Sequence, residues 1–203
     1  MIEIILSTRN PSKVTQIKPI FASMPVAIIT LEEAGIEGEV TEDGATLGEN
    51  AAKKARYAWE RSKRWSMADD TGLYITALQG APGIHAARWA GETATTEEIM
   101  NFTLEKLKDV RVGEREAVFK TCAVLFSPDG VTHSFVGEVS GVILRALRVP
   151  FQPKMPYSGI FLPDEAQRVW AEMTTDEENA ISHRGKAFRA LREFLKVELA
   201  RNP

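Results

Sequence analysis

Short apolar runs and amphipathic stretches alternate along the chain. Apolar runs and period-two alternation predict β-strands at residues 2–6, 26–29, 73–78, 117–126, 131–142 and 159–162. Apolar positions spaced by three or four residues, each set following a capping residue, predict helices that begin near residues 11, 46, 95, 175 and 183. Because helices and strands interleave and Pro128-Asp129-Gly130 joins two long strands as a hairpin, the pattern predicts an α/β fold with a mixed sheet.

Three of the predicted helices open with a capping box, in which a threonine is followed three residues later by a glutamate. These boxes are residues 46–49, 95–98 and 175–178. The pattern gives Glu49 and Glu178 structural roles at the starts of their helices.

Length, charge and cysteine content narrow the class of protein. A chain of 203 residues is typical of one domain, so we expect residues 1–203 to form a single domain. The formal net charge is −3 and basic residues form no block, so a nucleic acid polymer is not an expected partner. Cys122 is the one cysteine, which excludes an internal disulfide, and its mid-strand position predicts a buried, inert thiol. No stretch approaches the ~20 apolar residues of a membrane span, and the N-terminus lacks a basic segment, so we expect a cytoplasmic protein without membrane contact.

Two adjacent carboxylates, Asp69 and Asp70, stand between an apolar lead and Thr71-Gly72. The pattern predicts a bend here, with extended segments on both sides. Two neighbouring anions are costly unless they share a proton or a cation, and a hard divalent ion such as Mg2+ takes oxygen ligands. The alternative is an Asp turn whose side chains bond nearby N–H groups. The pair alone does not decide between the two.

A predicted strand, a polar loop and a helix start follow one another over residues 2–13. Asn10 caps the helix, and Pro11 occupies its first turn, where a missing N–H costs nothing. A helix N-terminus with Lys13 beside it suits a phosphate, although a plain capped helix with a solvated lysine is the alternative. The Lys53-Lys54 pair also allows two interpretations. Either both lysines belong to a solvated helix face, or one of them points its cation into a site.

The polar positions gather in four loops or element starts: residues 8–13, Glu42, the two aspartates and residues 182–184. Cations and helix N-termini fit phosphates, three carboxylates fit a metal ion and water, and a His-Arg pair fits the polar edge of a ring. Metal-assisted attack of water on a phosphoanhydride needs such a set.

Five segments, in this order, resemble the inosine triphosphate pyrophosphatase family, which removes non-standard purine nucleotides. They are LSTRNPSK, TEDGATLGENAAKKA, ADDTGLYITALQGAPGIHAARWAG, GEVSG and AISHRG, spread over residues 1–188. The long aspartate segment together with AISHRG is the specific part of the match. The resemblance implies a two-lobed α/β protein with a long curved mixed β-sheet, flanked by helices and with the active-site cleft between the lobes. It also implies a homodimer that uses Mg2+ to cleave a nucleoside triphosphate to monophosphate and pyrophosphate.

The matching positions imply a role for each candidate side chain. Glu42 and Asp70 handle the metal ion and the attacking water, with Asp69 beside them as a third catalytic carboxylate. The implied phosphate-binding residues are Thr8, Asn10, Lys13 and Lys54. The residues implied to face the base are Ser182, His183 and Arg184, together with Met155 and Ser158 in the aligned loop.

Several positions depart from the family pattern. Met155 stands where a ring-stacking Phe is usual, and Ser158 stands where a base-reading Asp is usual. Glu178 replaces a usual Lys, Arg9 a usual Gly and Gln16 a usual Glu. Methionine covers a flat ring less specifically than Phe, and a serine presents no carboxylate to ring N–H groups. A carboxylate in place of the usual lysine is expected to repel phosphate unless a nearby cation compensates.

Changes in the base pocket beside retained metal- and phosphate-binding residues favour a hydrolase with altered or relaxed base choice. We therefore expect a weaker preference for inosine or xanthosine triphosphate than the family shows. The alternative is a nucleotide-binding protein without turnover, which Ser158 and Glu178 favour. The intact carboxylates Glu42, Asp69 and Asp70 favour the enzyme.

Overall fold

Five α-helices and seven β-strands make up the part of the chain that the computed structural model describes, residues 1–201. The helices are α1 (Pro11–Ile17), α2 (Leu47–Ser62), α3 (Thr96–Lys106), α4 (Thr175–Ile181) and α5 (His183–Arg201). The strands are β1 (Ile2–Leu6), β2 (Val26–Thr30), β3 (Trp65–Ile75), β4 (Pro82–Gly83), β5 (Glu116–Phe126), β6 (Thr132–Ile143) and β7 (Phe161–Pro163). Over these described residues, none of the helices has the length and apolar character that a membrane crossing requires.

One mixed sheet carries the fold, in the order β2-β1-β3-β5-β6-β7, with β4 paired to β3. β1 runs parallel to β2 and β3, and the remaining neighbours are antiparallel. The parallel strands are apolar runs separated by helices, whereas the long alternating strands β5 and β6 form the predicted hairpin. The α/β class and the mixed sheet predicted from the sequence are therefore confirmed.

The two largest apolar cores of residues 1–201 lie along the sheet, one at each lobe. The first packs β1 and the start of β3 against α5 through residues such as Ile4, Met67 and Phe188. The second packs the far halves of β3 and β5 against α3 and the segment after β6, through residues such as Leu73 and Phe119. Because β3 and β5 run through both cores, they fix the position of one lobe relative to the other.

A gap along one edge of β3 marks the junction of the two lobes. β1 pairs with β3 as far as Met67, and β4 joins the same edge at Leu73. Between these points, within the described chain, residues 68–72 have a strand neighbour on the β5 side alone. The absence of a side chain at Gly72 lets β4 approach, since a Cβ there would lie 2.8 Å from Gly83 O. The edge of the sheet is therefore open where the two adjacent aspartates lie.

The bend predicted at Asp69 and Asp70 is wrong, because β3 runs through both residues without interruption. Its pairing with β5 continues to Ile75 and keeps the chain extended. The separate strand predicted over residues 73–78 is the end of β3 followed by a short 3-10 turn.

The two aspartates leave β3 on opposite faces of the sheet, as successive residues of a strand do. Asp69 lies opposite Ala123, which belongs to the core beneath α5. Asp70 lies opposite Cys122, which packs with the α2 side of the sheet and is buried as predicted. One step along the strand thus places the two carboxylates in different surroundings.

Two of the predicted capping boxes differ in detail from the structure. Thr174, rather than the next residue, caps α4, and its hydroxyl accepts a hydrogen bond from the N–H of Glu177. The predicted structural role of Glu178 in this box is therefore wrong, and its side chain is buried instead. At α2, Thr46 accepts from the N–H of Glu49 as predicted, but the Glu49 carboxylate accepts from the N–H before the cap.

The start of α5 lies directly on β6. A Cβ at Gly137 would collide with the backbone carbonyl of His183 and lie 2.7 Å from the N atom of Ala187. This close approach sets the first turn of α5, which carries His183 and Arg184, against the middle of β6.

Candidate active site

A cavity of about 410 Å3 opens at the gap in the sheet. The loop after β1, the segment before α2, the loop after β6 and the start of α5 form its walls. The sequence-predicted site residues that line it are Thr8, Asn10, Lys13, Glu42, Lys54, Asp70, Met155, Ser158, His183 and Arg184. Asp69 and Ser182 were predicted with them but are not among the residues that line the cavity.

Asp69 is a buried anchor for two cations of the cavity wall. Its fully buried carboxylate lies 2.9 Å from Lys13 Nζ and 3.2 Å from Arg184 Nε. The hydroxyl of Thr71 donates to the same oxygen at 3.3 Å. Burial alone would raise the pKa of Asp69, but the charges of Lys13 and Arg184 outweigh it and hold this pKa well below the usual range. Asp69 therefore stays ionised and holds both cations in place.

Asp70 lies at the cavity surface and shares one lysine with Glu42. Lys54 Nζ lies 3.2 Å from Asp70 Oδ1 and 3.1 Å from Glu42 Oε2. Asn50 Nδ2 donates to the second oxygen of Asp70 at 3.2 Å. Burial raises the pKa of Asp70, and the neighbouring Glu42 charge adds to this effect, while Lys54 opposes it.

The two carboxylates that meet at Lys54 fit a hard divalent cation. Oxygens of Glu42 and Asp70 converge within 3.2 Å of one ammonium, so both reach a single cation-sized position. Mg2+ is usually held by one or two carboxylates and takes its other ligands from water and substrate phosphates. Within residues 1–201, no group of three His, Cys, Asp or Glu side chains is placed to hold a metal ion.

Local hydrogen bonds fix the loop between β1 and α1. Asn10 Oδ1 accepts from the N–H of Ser12 at 3.0 Å and so caps α1 as predicted. Thr8 Oγ1 accepts from the N–H of Asn10 at 3.2 Å. Arg9 crosses the cavity mouth and donates to the carbonyl of Gly38 at 2.6 Å. Arg9 thus lines the cavity together with Lys13, Lys54 and Arg184, whose side chains form what we call its cation-rich end.

Phe119, Trp170 and His183 form the part of the cavity that we call its aromatic end. The rings of Phe119 and His183 stack with centroids 4.8 Å apart, and Trp170 lies 4.9 Å from His183. Burial, with the Arg184 charge beside it, lowers the pKa of His183 well below its usual value, so the imidazole is neutral. Among the described residues, neither Trp170 Nε1 nor His183 Nδ1 has a hydrogen-bond partner, although both are buried. Flat apolar walls with polar ring nitrogens suit a heteroaromatic ring.

Both candidate serines use their hydroxyls within the protein. Ser158 Oγ donates to Met155 O at 2.8 Å and accepts from the N–H of Gln152 at 2.8 Å. Ser182 Oγ accepts from the N–H of Gly185 at 3.1 Å in the first turn of α5. These contacts shape the loop after β6 and the helix start that carry the neighbouring site residues.

Sequence reasoning missed four side chains that contribute to the site. Asn50 lies one helical turn before Lys54 in α2, and this spacing was a signal that could have found it. Phe119, Gln152 and Trp170 line the cavity but belong to no motif. They reach the site only because β5 and the segments after β6 and β7 meet there.

The arrangement can bind an anion at one end and a flat ring at the other, with two metal-suited carboxylates beside the anion. The fold and the site thus define a class: α/β proteins with a nucleotide-sized cleft at an open sheet edge. Within that class, the chain belongs to the Ham1 family, whose model matches residues 4–194.

Relatives and solved structures agree with this assignment. The dITP/XTP pyrophosphatase of Clostridium perfringens is 40% identical over 202 residues, covering 97% of this chain and 98% of that protein. The dITP/XTP pyrophosphatase of Caldanaerobacter subterraneus is 36% identical over 203 residues, which is all of both chains. The structure of a HAM1 protein from Coxiella burnetii matches with a TM-score of 0.84 and 33% identity, covering 97% of this chain and 99% of that one. The family resemblance carried by the sequence motifs is therefore confirmed.

Proposed function

We propose that this chain is an Mg2+-dependent pyrophosphatase that cleaves nucleoside triphosphates of the non-standard purine class to monophosphate and pyrophosphate. One cavity holds the cations Lys13 and Arg184, the carboxylate pair Glu42 and Asp70, and the aromatic end, and this juxtaposition carries the proposal. The names of the full-length relatives, dITP/XTP pyrophosphatases, support the same reaction. The chain is accordingly a hydrolase of phosphoanhydride bonds.

The cation-rich end binds the phosphates. Lys13 and Lys54 are mostly buried but line the cavity, so their ammonium groups donate charge-assisted hydrogen bonds to phosphate oxygens. The Thr8 hydroxyl and the backbone around Asn10 bind phosphate at the same end of the cavity. Asp69 supports the binding by holding Lys13 in place beneath the cavity wall.

Glu42 and Asp70 would hold the metal ion and would orient the attacking water. A bound Mg2+ would supply Lewis acidity to the phosphoryl oxygen and would lower the pKa of a bound water. Asp70 accepts a hydrogen bond from the attacking water, while Asn50 fixes the orientation of its carboxylate. Lys54 balances the two negative charges when substrate and metal are absent.

The aromatic end holds the base. Met155 covers one ring face with a flexible thioether, and His183 and Arg184 present polar groups to the ring edge. Ser158 and Ser182 position this end through their bonds to the loop and the helix. A flexible cover in place of an aromatic one supports an altered or relaxed base choice.

Pyrophosphate release across a panel of nucleotides tests this function. Inosine, xanthosine, adenosine, guanosine and cytidine triphosphates would be compared, each with and without Mg2+. We expect release of pyrophosphate rather than orthophosphate, dependent on the metal and faster for purines. Tight nucleotide binding without release would indicate a nucleotide-binding protein instead, and orthophosphate as the product would indicate cleavage at a different bond.

Replacement of Lys13 by alanine should weaken binding of a triphosphate by about tenfold or more, while binding of the matching nucleoside changes little. A charge-assisted contact to phosphate is lost, and such contacts are stronger than neutral ones. Isothermal titration with a non-hydrolysable triphosphate and with its nucleoside gives the two affinities. Lys18→Ala, five residues further on and paired with exposed Glu33, is the matched control. Equal losses for both ligands would assign Lys13 to the fold alone.

We also propose that the chain acts as a homodimer in the cytoplasm. The family resemblance supports the dimer, and the sequence pattern supports the compartment. Analytical ultracentrifugation at micromolar concentration would test the dimer, and a monomer with full activity would contradict it.

A further inference from the structure

Hydrogen bonds from two different elements hold the guanidinium of Arg184. Its Nε lies 3.2 Å from Asp69 Oδ2, and its Nη2 donates to Thr71 Oγ1 at 3.3 Å. Both partners belong to β3 and, being two residues apart, lie on the same face of the sheet. The shortest bond runs instead to α1, because Nη1 donates to Gln16 Oε1 at 2.5 Å. Among residues 1–201, Gln16 is thus the one partner that holds Nη1.

Arg184 keeps donors that no described residue uses. A guanidinium carries five N–H donors, and the bonds above use one on each of its three nitrogens. Each terminal nitrogen therefore has one N–H left, on a side chain that lines the cavity although the residue is only 4% exposed. The direction of the guanidinium decides whether these donors meet an acceptor of the bound base.

Gln16 is itself fixed by α4. Its side chain is buried and is not among the residues that line the cavity. Its Nε2 donates to Glu178 Oε1 at 2.5 Å, and its backbone carbonyl accepts from Asn179 Nδ2 at 2.7 Å. Arginine can only donate, so Gln16 turns its oxygen to Arg184 and its nitrogen to Glu178. Burial raises the pKa of Glu178, but Oε1 accepts this bond in the ionised form and equally when a proton sits on Oε2.

We propose that Gln16 is a positioning residue for Arg184, and that Gln16 and Glu178 form one hydrogen-bonded pair that keeps the guanidinium turned towards the base. The inference rests on the proposed function, because it concerns recognition of the base in the same cavity. A side chain that the protein already holds in place loses little conformational entropy when the ligand binds, whereas a free one loses more. The pair therefore raises the affinity for the base, although Gln16 does not reach the cavity, and leaves phosphate binding by Lys13 and Lys54 unchanged.

Two ligands separate recognition of the base from recognition of the phosphates. Inosine monophosphate carries a base, whereas inorganic triphosphate carries phosphates alone, and isothermal titration of the full chain without Mg2+ gives both affinities in the absence of turnover. Gln16→Leu keeps a side chain of similar bulk but removes both of its hydrogen bonds. We expect the affinity for inosine monophosphate to fall by about tenfold or more, as for loss of a hydrogen bond to a charged group, and the affinity for inorganic triphosphate to stay unchanged. Thr15→Val, which removes an exposed hydroxyl bonded to Pro11 O in the same helix, is the matched control and should change neither.

A reciprocal exchange tests the pair as a unit. Gln16→Glu brings a second carboxyl group against Glu178, and two carboxylates that share a buried site repel each other, so the affinity for inosine monophosphate should fall. Adding Glu178→Gln to this variant places an amide opposite a carboxylate again, with the two groups exchanged. Arg184 then regains a well-held acceptor, and the double variant should recover most of the wild-type affinity. Circular dichroism and thermal unfolding check each fold, and this exchange alone decides the matter if Gln16→Leu does not fold.

Equal losses for both ligands in Gln16→Leu would assign Gln16 to the fold alone and overturn the proposal. An unchanged affinity for inosine monophosphate would also overturn it, as would a double variant that binds no better than Gln16→Glu. A loss confined to inosine monophosphate, in a protein whose wild type releases no pyrophosphate from any triphosphate, would refute the proposed function and leave the role of Gln16 standing.

Discussion

Asp70→Asn should lower kcat for pyrophosphate release by about a hundredfold or more while the fold stays intact. The substitution preserves size but removes the negative charge that the metal ion and the attacking water require in the transition state. Stability should change little, because Lys54 keeps Glu42 as its partner and Asn50 keeps a side chain to bond. Steady-state release with Mg2+, together with a thermal unfolding curve, measures both effects.

The control for this variant is Asp43, the residue that follows Glu42 in the acidic segment before α2. Asp43 pairs with Lys53 at the exposed surface beside the Glu42–Lys54 pair, so Asp43→Asn removes a similar charge without touching the carboxylates of the cavity. We expect its turnover to match that of the wild type. Near-normal turnover in Asp70→Asn would contradict the role assigned to Asp70.

Asp69→Asn should instead destabilise the protein, by about 3–5 kcal/mol in the free energy of unfolding, as expected when a buried ion pair loses one partner. The change leaves Lys13 and Arg184 near a neutral amide, and their side chains are almost fully buried. Urea unfolding gives the value. Glu3→Gln, which breaks the exposed pair with Arg64, should have a small effect and serves as the control. A stable Asp69→Asn variant would show that the cations do not depend on this carboxylate.

The same cluster makes stability depend on acid pH. The pKa of Asp69 is lower in the folded protein than in the unfolded chain, despite burial, because Lys13 and Arg184 favour the charged form. Its contribution is complete above the ordinary carboxyl pKa of about 4 and is lost as pH falls below that value towards the folded pKa. Urea unfolding measured from about pH 6 to 3 should therefore show that the free energy of unfolding falls less steeply with pH for Asp69→Asn than for the wild type. If the free energy of unfolding fell equally steeply with pH in both proteins, the acid sensitivity would belong to other carboxylates.

Sequence patterns predicted those elements whose hydrogen bonds close within a few residues. The Asn10 cap of α1, the capping box of α3 between Thr95 and Glu98, and the hairpin of β5 and β6 are confirmed. In each case the partners are near neighbours in sequence or face each other across one turn. Local composition therefore contains enough information to place them.

Features decided by distant strands could not be predicted in this way. Thr71-Gly72 is typical of a turn, but pairing with β5 and the close approach of β4 hold the segment in a strand. Thr174 and Thr175 are equally suited to cap α4, and the choice of Thr174 turns Glu178 into the cavity. The competing local signals were equal, and tertiary packing decided between them.

The candidate site also contains residues that sequence motifs predict and residues that only the tertiary structure brings together. Motifs identified Lys13, Asp70 and His183, and the structure places all three on one cavity, although their roles stay predictions. Phe119 and Trp170 carry no motif, because an aromatic residue in an apolar stretch looks like any core residue. Only the meeting of β5 with the segment after β7 shows that they form the wall of a ligand cavity.

Successive side chains of β3 point to opposite faces of the sheet, so two chemically identical carboxylates have different roles. Asp69 faces buried cations, while Asp70, one residue later, faces the cavity. A strand that slips by one residue turns every side chain to the other face. A single insertion or deletion between the β1-paired start of β3 and Asp69 would thus exchange anchor and reactant without altering the composition of the site. Loops around the cavity can change length during evolution, whereas this part of β3 must keep its number of residues.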